Sequence, residues 1–321
     1  MVYSNGHFYS ASQYYQEIFG SKVYKISLDA GCTCPNRDGT KGFGGCIFCS
    51  AAGSGDFAAN RNVSIKEQVE QAKTIVASKI KNGRKLRYIA YFQNFTSTYG
   101  DEDALLEKFK AALECADVSG LAIGTRPDCI SEKMLENLAE LSEKNYLSIE
   151  LGFQSSKTES VEYIRRMYEN SVFLDCVRRI KLKAPKIHVV AHIIFGLTGE
   201  NKHDMMESIK YAVDSGIDGI KISVLYVLKG TDLEKDYKNG FFRCLEKNEY
   251  FGLLADALEI IPENIVVHRV TGDGSKKILV APLWTANKRD VLNSMVRFFD
   301  GKNILQGKKL RNPDDFCGGQ N

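Results

Sequence analysis

Four cysteines, Cys32, Cys34, Cys46 and Cys49, fall within GCTCPNRDGTKGFGGCIFC (31–49) of a 321-residue chain that holds nine in all. Thiols at this density bind metals or metal–sulfur clusters in a reducing compartment, or pair as disulfides in an oxidising one. The start, MVYSNGHFYSASQYY, has no basic run followed by an apolar one, so no signal peptide is expected. No stretch supplies the roughly eighteen apolar residues of a membrane helix. With an odd cysteine count, these features point to reduced thiols in a cytoplasmic protein with no membrane partner.

Two chemistries compete for the cluster of thiols. A closed zinc site would use all four. Cys46-x-x-Cys49 suits it, but Cys32-x-Cys34 is tighter than the two to four intervening residues usual for zinc. An iron–sulfur cluster held by Cys34, Cys46 and Cys49 alone would leave one iron without a protein ligand, open to a small molecule. Gly39, Gly42, Gly44 and Gly45 would let the backbone pass close to a bulky inorganic core. Structural thiols are the third reading. The other five cysteines, Cys115, Cys129, Cys176, Cys244 and Cys317, show no ligand-like spacing.

Around this loop the sequence alternates two textures. Runs rich in β-branched and aromatic residues at 22–28, 87–92, 120–124, 147–153, 187–195 and 219–227 read as buried strands. Amphipathic stretches at 64–80, 103–116, 130–144, 160–183 and 204–216 read as helices. Six strands each followed by a helical run predict an α/β fold, a partial (β/α)6-type TIM-like barrel of parallel strands. The polar clusters at 93–100, 125–128, 154–156, 196–200 and 228–232 all follow strands, at the rim where such barrels carry chemistry. A break in texture near Gly230–Asn239 divides the chain into a lead segment (1–21), a core (22–230) and a C-terminal α/β extension (231–321). The extension contains a helix near 246–261 and a strand-like run at 265–270.

The chain is close to neutral at +3, but from His268 to Arg311 ten basic residues face three acidic ones, which leaves about −4 for the rest. A basic segment on a mildly acidic body suggests contact with a polyanion or, alternatively, a solvated surface. Trp284, Phe298 and Phe299 interleave with Lys288, Arg289 and Arg297, a combination that single-stranded RNA favours; Val291, Met295, Phe298 and Phe299 also fall near helical spacing, which favours a core role.

CPNRDGT (34–40) and GGCIFC (44–49), with the aromatic Phe48 between the last two cysteines, resemble the radical S-adenosylmethionine (SAM) superfamily. Eleven residues separate Cys34 from Cys46 where the common pattern has three. This longer gap resembles the YhcC/YtqA-type subgroup, relatives of the elongator catalytic subunit. IGTRPDCI (123–130), IELGFQSS (149–156), AHIIFGLTGE (191–200), HRVTGDG (268–274) and APLWTANKRDVLNSM (281–295) extend the resemblance over nearly the whole chain.

The resemblance implies a [4Fe–4S] cluster on Cys34, Cys46 and Cys49, with Cys32 not a ligand. It implies SAM on the open iron, cleaved by an electron from a donor such as flavodoxin or ferredoxin to a 5′-deoxyadenosyl radical. For SAM itself, the expected contacts are Phe48 beside the adenine, Arg126 on the carboxylate, and Glu150 or Gln154 on the amine or ribose. Gln93 and Asn94 stand where many relatives carry Gly-Gly-Glu, and His192 is a further SAM or substrate contact. Arg126 could instead pair with Asp128, and Glu150 could belong to an internal ion pair. Since relatives include enzymes acting on carbon 5 of the tRNA wobble uridine, tRNA rather than DNA is the expected partner, with Arg269, Lys288 and Arg289 as substrate contacts. A metabolite or porphyrin-like substrate and a non-catalytic zinc or iron–sulfur scaffold are the alternatives.

Overall fold

The computed structural model describes residues 2–53, 60–77, 86–272, 274 and 276–311. The end of the helix expected over 64–80, Asp273 and Cys317 lie outside these residues. The chain opens with α1 (Ala11–Phe19) and then alternates: β1 (Val23–Leu28), α2 (Ile65–Ala77), β2 (Arg87–Phe92), α3 (Glu102–Leu113), β3 (Val118–Thr125), α4 (Glu132–Lys144), β4 (Tyr146–Gln154). It continues through α5 (Thr158–Tyr163), α6 (Asn170–Lys183), β5 (His188–Phe195), α7 (Lys202–Asp214) and β6 (Gly219–Val224). After β6 come β7 (Val227–Leu228), α8 (Asp232–Lys238), α9 (Lys247–Ile260), β8 (Val266–Arg269), β9 (Leu279–Ala281), α10 (Lys288–Lys302) and α11 (Lys308–Arg311).

All six expected strands form, and they pair in parallel in the order β1-β2-β3-β4-β5-β6, curling into a partial barrel. A seventh, β8, adds in parallel beside β6. It comes from beyond the texture break near residue 230, so the sheet is continuous across that break.

Each strand has two faces because successive side chains alternate. Ile26 and Leu28, Ile149, Leu151 and Phe153, Val189, Ala191 and Phe195, and Ile220 and Ile222 point outward into one core with the helices. Full burial of each of these side chains larger than alanine contributes about 1.5–3 kcal/mol. The residues between them face inward and are polar: Lys25, Ser27, Tyr91, Glu150, His192, Lys221 and Ser223. The outer pattern holds the barrel together, and the inner one furnishes its chemistry.

The strands' N-terminal end is closed by α1. Ser10 caps that helix, and Tyr14, Tyr15 and Phe19 pack edge-on against Tyr146. Segments near the first and last described residues also meet there: the Tyr9 amide donates to Gln306, and the Gln306 amide donates to the Pro262 and Ile265 carbonyls.

The helix expected over 160–183 is two helices. Arg165 and Met167 take left-handed backbone (φ 58° and 61°) between α5 and α6. The buried Arg166 fixes this break, donating to the carbonyls of Phe153, Ser155 and Tyr168 and to Asn170. These tertiary bonds outweigh the helical periodicity of the segment. The C-terminal aromatics serve packing. Phe299 is fully buried and Phe298 packs against the core. Trp284 packs tilted against Tyr250 and edge-on to Phe251, with its indole N–H on the Leu245 carbonyl.

Candidate active site

The long gap between Cys34 and Cys46 is a closed excursion. The Cys34 carbonyl accepts from the Arg37 amide, the Pro35 carbonyl from Lys41 and Gly42, and the Asn36 carbonyl from Gly45, which returns the chain to its starting point. Gly44 and Gly45 make that return with φ of 77° and 86°, a region costly for any residue with a Cβ. Ile47 then anchors the loop. Its side chain is buried with Ile164, Leu197, Leu225 and Leu233, and its backbone bonds to Ile164 and Leu233. The result is three thiols, Cys34, Cys46 and Cys49, along one wall of a cavity of about 890 Å³ that opens at the strands' C-terminal ends. Cys32 faces the other way. It lies in the main core, and burial pushes its thiol up to about 11, which makes it a poor thiolate donor.

The thiols' surroundings favour the thiolate form at Cys46. The Asn36 amide donates to Cys46 Sγ (3.5 Å) and to the Arg165 carbonyl (2.7 Å). A hydrogen bond from Cys49, against the cost of burial and helped by Arg126, Asn36 and Arg37, brings Cys46 down to about 7. The same hydrogen bond, with burial, pushes Cys49 well up. The hydrogen bond between them couples the two thiols, so their titration belongs to the pair and not to either residue alone. Among the described residues the three thiols do not form a ready-made metal-binding group, but they line one cavity beside a turn of glycines and guanidinium groups, a donor set that suits an iron–sulfur cluster with one open position.

On the cavity floor, Glu150 is 1% exposed and held from three sides. Lys25 Nζ lies 2.5 Å from Oε1, Lys221 pairs with Oε2, and His192 Nε2 lies 3.1 Å from Oε2. Burial alone would raise the carboxyl, but Lys221 and Lys25, with His192, hold it well below its usual range. Burial, then the Lys221 charge, pushes His192 down to about 4, so it is neutral near pH 7. Burial likewise drives Lys221 down, and neighbouring Lys25 and Arg269 add to it.

Most of the expected cofactor contacts line this cavity: Phe48, Gln93, Arg126, Glu150, Gln154 and His192. Two of them are already committed to protein partners. Arg126 places its guanidinium on Asp128 (Nε–Oδ1 2.9 Å, Nη2–Oδ2 2.8 Å), and Lys41 reaches the same carboxylate at 2.5 Å. Glu150 is the centre of an ion network. Both follow the internal-pair reading that the sequence also allowed, so Arg126 acts here as a fixed positive charge near the thiols. Asn94 is buried away from the cavity and donates to Asp29 at 2.7 Å. Of the expected substrate contacts, Arg269 and Lys288 line the cavity, whereas Arg289 is exposed and outside it.

Several residues of the site escaped the sequence reading. Lys25 and Lys221 carried a signal: each is a lysine two residues before a serine, in a strand whose alternate positions are apolar. Arg37, whose guanidinium donates to the Ser50 carbonyl at 2.6 Å and lies over Phe95, carried none, because its role depends on contacts made only when the loop closes. Tyr168 is similar: the guanidinium carbons of Arg126 and Arg166 lie 5.0 and 4.4 Å from the centroid of its ring.

Residues 34–234 match the family described as the radical SAM superfamily, and residues 217–297 match the Radical_SAM C-terminal domain. YtqA of Bacillus subtilis is 42% identical over 94% of this chain and 92% of its own length. YhcC of Escherichia coli is 31% identical over 92% and 93%. A tRNA uridine(34) acetyltransferase of Methanocaldococcus jannaschii is 25% identical over 60% of this chain and 34% of its own. Among solved structures, the archaeal Elp3 of Methanocaldococcus infernus shares the fold, with a TM-score of 0.64 and 18% identity over 88% of this chain and 64% of that one. Members of the matched family bind a [4Fe–4S] cluster and SAM, the pair of ligands for which the three cavity thiols are suited. The chain belongs to the radical SAM superfamily.

Proposed function

We propose that this radical SAM enzyme modifies the carbon-5 side chain, of the carboxymethylaminomethyl type, on the wobble uridine of tRNA. The observation that carries the reading is a single cavity extending from Cys34, Cys46 and Cys49 to Lys276, Lys277 and Lys288. The archaeal uridine(34) enzyme that matches part of this chain supports it. A base acted on at such depth must leave its stack and enter the protein, while its flanking phosphates stay outside with cations.

When bound, the [4Fe–4S] cluster and SAM supply the radical chemistry, driven by an electron from a protein donor such as flavodoxin or ferredoxin. This chain's residues do the rest. Cys34, Cys46 and Cys49 would hold the cluster, with Asn36 donating to the Cys46 sulfur. Phe48, Gln93 and Gln154 line the adjoining space where SAM would lie, and His192 offers a neutral imidazole on the floor. The basic C-terminal segment is the RNA-facing part of the chain in this reading. Nucleoside mass spectrometry of tRNA from a strain lacking the gene should show an altered carbon-5 substituent on uridine 34. An unchanged uridine profile would refute the substrate assignment and leave the enzyme class standing.

A further inference from the structure

The cavity holds more positive charge than its own carboxylate balances. Glu150 is the acidic residue among the described residues lining it, and Lys25, Lys221 and His192 already occupy both its oxygens. Beside Lys221, at the matching position of the neighbouring strand, stands Arg269. It ends β8 at the rim, is half-buried and lines the cavity.

The other arginines on these walls have acceptors. Arg126 has Asp128, Arg166 has carbonyls of Phe153, Ser155 and Tyr168, and Arg37 has the Cys49 and Ser50 carbonyls. The Arg269 guanidinium has no hydrogen-bond acceptor and no carboxylate among the described residues. Its charge reaches inward, pressing down on both Lys221 and His192. Like charges side by side on adjacent strands are unfavourable. An anion relieves that repulsion, and the planar guanidinium can grip it with two parallel hydrogen bonds. Towards the mouth, Lys276 and Lys277 are exposed and line the same cavity, which extends the positive field outward.

We propose that Arg269 seats an oxyanion of the substrate, a carboxylate or a phosphate, inside the barrel, with Lys276 and Lys277 receiving further negative charge at the mouth. The choice of a uridine-based anion rests on the wobble-uridine reading above. The anion seat itself does not.

Equilibrium dialysis of the reconstituted, SAM-bound protein against four probes tests this: orthophosphate, uridine, uridine 5′-monophosphate and 5-carboxymethyluridine. At least one anionic probe should lose about ten-fold or more of its affinity in Arg269→Gln, while uridine is unaffected and Arg269→Lys recovers part of the loss. Loss confined to 5-carboxymethyluridine supports the seat and identifies a carboxylate. Loss confined to orthophosphate or the monophosphate supports the seat and contradicts the carboxymethyl reading. Iron content and circular dichroism matching wild type confirm that the variants are folded. The proposal is overturned if no probe distinguishes wild type from Arg269→Gln, including the case where none binds, or if Arg269→Gln abolishes SAM binding with anionic probes unaffected.

Discussion

Cys32 and Cys34 differ by two positions and by everything that matters chemically. Cys34 lines the cavity with Cys46 and Cys49, whereas Cys32 is buried in the core with a thiol raised to about 11. Replacing Cys34, Cys46 or Cys49 with alanine should therefore abolish cluster incorporation, seen as loss of the visible absorbance and of bound iron and sulfide after anaerobic reconstitution. Cys32→Ala should keep iron and sulfide at wild-type levels and lower stability by about 1 kcal/mol. Iron lost from Cys32→Ala while it remains folded would show that Cys32 is a ligand. The number of ligands was open in the spacing alone, because Cys46-x-x-Cys49 suits both zinc and iron–sulfur. What separates Cys32 is the backbone direction beyond β1, a tertiary fact with no local mark. Asn36, Arg37 and Tyr168 were invisible for the same reason.

At the scale of elements, the strands were legible because β-branched and aromatic runs bounded by polar loops leave few alternatives. Their inner faces were less so. Glu150 stood out as a carboxylate within a strand, but its partners come from β1, β5 and β6, and only the closed sheet brings Lys25, His192 and Lys221 to it. Removing that carboxylate leaves a crowd of buried cations. Glu150→Gln should destabilise the fold by about 3–5 kcal/mol, measured by urea denaturation. A smaller loss is expected for Lys221→Met, which removes a positive charge from an over-supplied site. A greater loss for Lys221→Met than for Glu150→Gln would contradict this charge balance.

The histidines of the inner face give a pH signature. Burial holds His188 and His192 down to about 4, against about 6.5 in an unfolded chain. Between these values the unfolded chain binds more protons, so stability falls as pH drops from about 6.5 towards 4, by up to about 1.4 kcal/mol per pH unit for each histidine. Glu150 has its folded value below the unfolded one too. Its contribution is fully present above about 4.3 and is lost only at more acid pH. Urea midpoints should decline as pH falls from 6.5 towards 5. A flat profile down to pH 5 would show that these imidazoles are not held neutral by the fold.

On the scale of the whole molecule, a curled sheet closed below by α1 and open above places every loop that follows a strand on one rim. The basic surplus of the C-terminal region, visible in composition, reaches that rim through Arg269, Lys276, Lys277 and Lys288, whereas Phe299 is buried in the core and Trp284 and Phe298 pack against it. Composition shows charge but not which face it lies on, and helical spacing explains why Phe298 and Phe299 are packed. If RNA phosphates meet these lysines, the logarithm of tRNA affinity should fall linearly with log salt. Lys276→Ala with Lys277→Ala should lessen the slope by about one for each phosphate that the variant no longer neutralises. A slope unaffected by these changes would place the RNA elsewhere.

Radical chemistry in this cavity requires its three thiols to carry a reducible cluster that activates SAM. Quantifying 5′-deoxyadenosine from the anaerobically reconstituted, dithionite-reduced protein with SAM tests this most directly. Wild type should form it and Cys49→Ala should not. A colourless wild-type protein that binds one zinc ion and forms no 5′-deoxyadenosine would contradict the account.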